Sequence, residues 1–223
     1  MNRRAWLLER RAAVEATYDA EASTYDANPY PVETQQRFVD ALVRTCPADG
    51  IILDAPCGTG QYFGRVVAAG RRVVGIDQSA GMLEQARRTG LAVALHRVGL
   101  QELGFDGGFD GAMTVDAMES VFPEEWPLVL ANLHRAVRPG GHLYLTVEEI
   151  DEAEIDEAFA GLTARGLPAV RGEVIEGDVA GYHYYPGRDQ VIRWLEGERL
   201  DVVEQETQAH DGWAYWHLLL RSR

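Results

Sequence analysis

At 223 residues and 46% hydrophobic content, the chain is long enough to bury a full core as one domain with a terminal extension or insert. Acidic residues outnumber basic ones 35 to 21 and the net charge is −14, which disfavours a nucleic-acid partner held through its phosphates, since the basic clusters are only Arg doublets. Two cysteines, Cys46 and Cys57, are too few for a disulfide framework and lack metal-ligand spacing. No metal is expected, and a reducing cytoplasm fits. The charged start and the lack of any apolar run of membrane-span length predict a soluble chain.

In chain order, the first roughly 45 residues predict a helix, a turn at "ANPYP" where Pro29 and Pro31 forbid helix, and a second helix through "ETQQRFVDALVRT". Five apolar runs follow as strands: "IILDA", "RVVGID", "AVALHRV", "FDGAMTVDA" and "HLYLTVEE". Helical patterns separate them: "QYFGRVVAAG", "AGMLEQARRTG" and "EEWPLVLANLHRAVRPGG". Such alternation predicts an α/β fold with a mainly parallel sheet. The acidic "EEIDEAEIDEAFAGL" predicts an amphipathic helix with one solvated face, and "RDQVIRWLEGE" another helix. "LDVVEQETQ" and "WAYWHLLLR", joined through "AHDG", predict a closing hairpin.

The stretch "IILDAPCGTGQYFGRVV" raises the functional question, because a strand ending in Asp54 runs through Gly58 and Gly60 into a helix. Glycines there permit a sharp turn and close ligand approach to backbone amides. A dinucleotide pyrophosphate prefers G-x-G-x-x-G, but the third position holds Phe63 and Gly64 comes one residue late. A carboxylate four residues before Gly58 repels a pyrophosphate and suits a ligand carrying an ammonium group.

"LDAPCGTGQ", "VVGIDQSAGMLEQARR" and "FDGAMTVDAMESV…LHRAVRPGGHLYLTVEE" together, in that order, resemble the class I S-adenosylmethionine-dependent methyltransferases. The resemblance implies a Rossmann-like, doubly wound, seven-stranded, mainly parallel sheet with a C-terminal antiparallel hairpin, helices on both faces and an N-terminal helical lid. It implies one domain over 1–223, with the lid at 1–48, the cofactor core at 49–150 and substrate-side helices with the closing hairpin at 151–223. By the same resemblance Asp54, Ala55, Pro56, Gly58 and Gly60 surround the methionyl end of S-adenosylmethionine. Asp77 accepts both ribose hydroxyls, which suits two carboxylate oxygens facing a vicinal diol. Gln78 assists, Met82 packs on the adenine, and Leu100 and Gln101 form the adenine edge, with Glu102 or backbone groups as alternatives. Leu100 stands where the family often has aspartate, and Pro56 where it usually has glycine. Tyr18 and Tyr25 of "TYDAEASTYDANPYP" resemble a segment lying over the cofactor, although packing is an alternative use for both.

On the acceptor side, Asp116 and Glu119 leave the fourth strand at its carboxyl end, where open α/β sheets bind ligands. Asp116 is assigned to the cofactor set and to catalysis, Glu119 to catalysis; a helix cap and a solvated acid are the plainer readings. Glu148 and Glu149 end the fifth strand at the same edge. "GYHYYPGRD" places Tyr182, Tyr184 and Tyr185 around His183, as a wall for an apolar or aromatic acceptor with an imidazole available to take a proton. Glu148, Tyr30 and these three tyrosines are the substrate-binding set. Cys57 reads as a small packed residue rather than a nucleophile.

The expected activity is methyl transfer to O, N or C of a small-molecule metabolite, without nucleic acid or membrane, in a chain that allows a homodimer. A protein or peptide methyltransferase, docking a basic partner on "EEIDEAEIDEAF", and a non-catalytic cofactor-binding protein stand as alternatives. An NAD-dependent oxidoreductase is disfavoured by Phe63.

Overall fold

The computed structural model describes residues 2–27, 33–176 and 181–223. Strands β1 (Ile51–Asp54), β2 (Arg72–Asp77), β3 (Ala94–Arg97), β4 (Phe109–Thr114) and β5 (Val137–Ile150) run parallel to their neighbours. β8 (Leu200–Ala209) and β9 (Trp213–Ser222) complete the sheet as the predicted hairpin, β9 antiparallel to β5. The seven-stranded order is β3-β2-β1-β4-β5-β9-β8. From β1 the strand order runs outward one way to β3 and, from β4, outward the other way, so a crevice opens at the carboxyl ends of β1 and β4. β1, β2 and β4 are apolar on both faces because helices cover both sides of a parallel sheet.

One face is covered by α2 (Glu33–Thr45), α3 (Phe63–Ala68) and α4 (Ala80–Arg88). The other carries α1 (Arg3–Glu21), α5 (Trp126–Ala136) and α7 (Arg188–Gly197). α6 (Glu152–Ala164) leads to a small separate hairpin, β6 (Glu173–Glu176) with β7 (Gly181–Tyr184). The tyrosine-rich segment therefore forms an antiparallel pair that its aromatic clustering did not announce. Two predicted helices start or stop elsewhere. The one expected over 124–141 ends at Ala136, after which "VRPGG" already belongs to β5. Glu148 and Glu149 belong to β5, and α6 begins at Glu152.

Phe63, which displaced the third glycine of a dinucleotide motif, is fully buried at the start of α3. A Cβ on Gly60 would meet its ring at 2.7 Å, and a Cβ on Gly75 of β2 would meet Phe63 Cζ at 2.9 Å and Cys57 Sγ at 2.8 Å. The aromatic ring thus fills the gap between turn, helix and strand that a glycine would have closed by direct backbone approach. Cys57 is buried with its thiol pushed well up, chiefly by burial, which fits a packing role and not a nucleophile.

The N-terminal helix is tied down at both ends. Arg3 donates to Glu173 Oε1 at 2.8 Å and to the Pro168 carbonyl at 2.7 Å, and it also pairs with Glu124. At the far end, Asp19 Oδ1 accepts from Ser79 Oγ at 2.6 Å and from the Gly81 N–H at 2.8 Å. Truncating the ring that seats the turn, in Phe63→Ala, should cost about 3–5 kcal/mol in denaturant unfolding. A loss below about 1 kcal/mol would show that the turn is held by other contacts.

Candidate active site

A cavity of about 910 Å³ opens at the carboxyl ends of β1, β2, β4 and β5 and is roofed by α1 and the turn Tyr25–Ala27. Its size lies near the top of the ordinary range for ligand pockets, roughly 300–1,000 Å³. One end is built by the glycine turn. Gly58 has a φ of +51° and no atom within 4 Å of a Cβ position, so its backbone faces open space. Its N–H donates to Asp77 Oδ2 at 3.0 Å, and the Ser79 N–H donates to Asp77 Oδ1 at 2.8 Å. Both carboxylate oxygens are thereby fixed at the cavity edge with acceptor capacity left for a ligand. Burial pushes the Asp77 pKa up to about 6 despite these amide bonds. Ser79 caps α4 by accepting from the Met82 N–H at 3.0 Å, which sets the buried Met82 side chain beneath the cavity.

The adenine-edge candidates, Leu100 and Gln101, lie on a short turn whose carbonyls both accept from the buried Asn132 Nδ2, at 3.0 and 3.2 Å. Asn132 lay inside an unremarkable helical pattern, and nothing in its spacing marked it. Tyr18 and Tyr25 both line the cavity and meet edge to face at 6.1 Å. The adjoining Asp26 accepts from Thr59 Oγ1 at 2.9 Å, joining the roof to the glycine turn.

At the other end, Asp116 leaves β4 with a left-handed φ of +54°, held by its N–H donating to the buried Thr146 Oγ1 at 2.7 Å. Asp is among the few non-glycine residues that tolerate this conformation, and it turns the chain into the cavity. The Asp116 side chain stays open to the cavity while protein surrounds it, and this partial burial raises its pKa to about 6. Glu119 is 5% exposed, and its Oε2 has no hydrogen-bond partner. Burial first, then the charges of Asp116 and Glu148, push its pKa well above the usual carboxylate range. Glu148, Tyr182 and His183 complete this wall.

Gln78, Pro56 and Gly60 also line the cavity, whereas Asp54 and Ala55 lie behind its surface. Asp54 is fully buried, its Oδ2 unpartnered and its pKa raised well above normal, first by burial and then by Asp77. Tyr184 and Tyr185 are corrections to the proposed aromatic wall. On β7, Tyr182 and Tyr184 share the buried face, Tyr184 packing in the core beside Gly172, and the buried Tyr185 has its hydroxyl 2.9 Å from His183 Nδ1. Tyr30 lies outside the described residues. Residues not foreseen include Tyr62, Phe122, Trp213 and Tyr215, whose patterns matched ordinary core positions. Among the described residues no cluster of three or more potential metal ligands occurs, and no helix is long and apolar enough to cross a membrane.

Residues 52–141 match the family model of a methyltransferase domain. The chain is similar to an S-adenosyl-L-methionine-dependent Diels-Alderase of Talaromyces variabilis, at 29% identity over 61% of this chain and 50% of that protein. It is similar to a malonyl-[acyl-carrier protein] O-methyltransferase of Erwinia pyrifoliae, at 30% identity over 67% of this chain and 56% of that protein. The chain thus spans about half the length of these curated relatives. Among solved structures, the 1,6-didemethyltoxoflavin-N1-methyltransferase of Burkholderia thailandensis superposes with a TM-score of 0.70 at 16% identity, over 95% of this chain and 88% of that one, which establishes the shared fold.

Because Glu119 is held uncharged by burial and by its acidic neighbours, the unfolded chain ionises this residue first as pH rises. Above about pH 4.5 the folded state carries a penalty that a glutamine would not. Glu119→Gln should therefore unfold at higher denaturant than the wild type without ligand, with a gap that grows between pH 4.5 and pH 8. Equal stability at both pH values would contradict the burial of an unpartnered acid here.

Proposed function

We propose that this chain, whose residues 52–141 belong to the class I S-adenosylmethionine-dependent methyltransferases, transfers a methyl group from that cofactor to a small-molecule acceptor. The observation that carries the reading is the single cavity wall on which the glycine turn and Asp77 stand at one end and Asp116, Glu119 and His183 at the other. We read 1–223 as one domain, with 1–48 as lid, 49–150 as cofactor core and 151–223 as the acceptor side.

The residues fit the cofactor on three counts. The orphaned Oδ2 of Asp54 suits an ammonium group beside the turn, open space over Gly58 admits a ligand to its backbone, and Asp77 keeps acceptor capacity for a vicinal diol. Asp54, Gly58 and Gly60 would hold the methionyl end, Asp77 with Gln78 the ribose, and Met82, Leu100 and Gln101 the adenine. When bound, the cofactor supplies a methyl group already activated on a sulfonium.

The protein's own work is then alignment, exclusion of water and handling of a proton. Tyr18 and Tyr25 form the roof that excludes water, and the bonds from Asp19 and Asp26 hold that roof down. His183 and Tyr182 wall the acceptor, while Asp116, and Glu119 once ionised, face it as proton acceptors. A peptide acceptor docked on the acidic α6 is less well supported, because Arg171 already pairs with Glu152 and with Asp156 Oδ1 at 2.7 Å. The acidic cavity is equally poor for phosphates.

S-adenosylhomocysteine at 100 times its Kd should stabilise the folded protein by about 2.7 kcal/mol, and NAD should not. Stabilisation by NAD alone would overturn the reading. In Asp77→Ala, cofactor affinity should fall by about 2–4 kcal/mol with the fold retained, as charged hydrogen bonds are lost. Calorimetric affinity equal to wild type would remove Asp77 from the site. His183→Ala should lower turnover by about tenfold or more while cofactor affinity stays within about twofold. Full turnover in the folded variant would reduce His183 to packing.

A further inference from the structure

We infer that the acceptor is an amine, drawn into the cavity as an ammonium and held by the carboxylates of Asp116, Glu119 and Glu148. This rests on the methyl-transfer reading above and narrows it to one acceptor chemistry.

The cofactor leaves part of the cavity's chemistry unused. Asp54 and Asp77 are accounted for by its ammonium and ribose groups. The three acids at the opposite end are not, and Glu119, more than nine-tenths buried, lines the cavity with its Oε2 left without a hydrogen-bond partner. Burying such an oxygen costs free energy unless a ligand satisfies it. The cations facing this end are few among the described residues. Arg11 is paired with Glu125 and lies over the Phe122 ring at 4.4 Å, and His183 sits 2.9 Å from the Tyr185 hydroxyl. The sequence contains no lysine. A carboxylate or phosphate acceptor would add like charge, and a neutral alcohol would bring no positive charge to Asp116 and Glu119. An ammonium supplies up to three donors and the missing positive charge. Tyr18, Tyr62, Phe122 and Tyr182 present aromatic surface around the same space, which also favours a cation.

The chemistry balances without a further reagent. Binding of the ammonium displaces to solvent the proton that Glu119 holds without ligand; the carboxylate so formed then takes one proton from the ammonium, and the freed nitrogen lone pair forms the N–C bond to the methyl group. The S–C bond breaks with its electron pair remaining on sulfur, giving the thioether product and a methylated ammonium. A base buried among like charges suits this step, because its raised proton affinity narrows the gap to an amine.

The test uses the whole chain loaded with S-adenosylhomocysteine and three skeletons, n-butyl, 2-phenylethyl and 1-naphthylmethyl, each as amine, alcohol and carboxylate. Calorimetry should find at least one amine bound about tenfold or more tightly than both its counterparts, with proton release visible as a dependence of the heat on buffer ionisation enthalpy. Glu119→Gln, at unchanged S-adenosylhomocysteine affinity, and separately Asp116→Asn should each reduce that preference to about threefold or less. If S-adenosylhomocysteine binds but no amine outbinds its counterparts, or if the preference survives both substitutions, the amine assignment is wrong and the methyl-transfer reading stands. If S-adenosylhomocysteine itself does not bind, both are overturned together.

Discussion

Like charge gathered at one edge of the sheet is the constraint on which the rest of this structure depends. β2 ends in Asp77, Asp116 follows β4 and Glu148 lies near the end of β5, so three strands of the parallel core bring carboxylates to one cavity, and Asp54 at the end of β1 lies behind its surface. Burial raises the pKa of Asp54, Asp77, Asp116 and Glu119 alike. A fold stabilised only for its own sake would not concentrate acids in this way. The arrangement is explained by ligands that bring positive charge and hydrogen-bond donors, and the proposed cofactor and acceptor both do.

The surrounding elements serve to keep that edge closed and in register. α1 is pinned by Arg3 to the β6–β7 hairpin through Glu173, and Tyr182 Oη donates to the same carboxylate at 2.7 Å. α1 and the β6–β7 hairpin therefore share one part-buried ion pair, so a shift in α1 would be felt at Tyr182 and His183. On the far side, Asp19 and Asp26 fasten the same N-terminal segment to α4 and the glycine turn. The N-terminal segment is thus attached on both sides of the cavity.

The sheet was legible because its signals are local. "IILD", "RVVGID" and "FDGAMT" are continuous apolar runs, and Asp54, Asp77 and Asp116 could be placed at strand ends by counting alone. The β6–β7 hairpin was not legible, because its strands are short and the aromatic cluster in "GYHYYP" invited a surface reading. Within that segment Tyr182 and Tyr184 share the buried face of β7 and His183 the other; Tyr182 and His183 line the cavity, while Tyr184 lies further along the strand in the core. Phe63 was read correctly as a break from the dinucleotide pattern, but its use as a plug beneath Gly60 and Gly75 depends on contacts between strand, turn and helix. Asn132 and the cavity face of the last hairpin, Trp213 and Tyr215, depend on tertiary placement in the same way.

A crystal structure of the complex with S-adenosylhomocysteine tests the central claim most directly, because the product's sulfur marks where the methyl group was carried. Both ribose hydroxyls should lie within hydrogen-bond distance of Asp77, with the sulfur turned toward the Asp116–Glu119 end of the cavity. A ribose bound away from Asp77, or a sulfur facing away from that pair of acids, would contradict it.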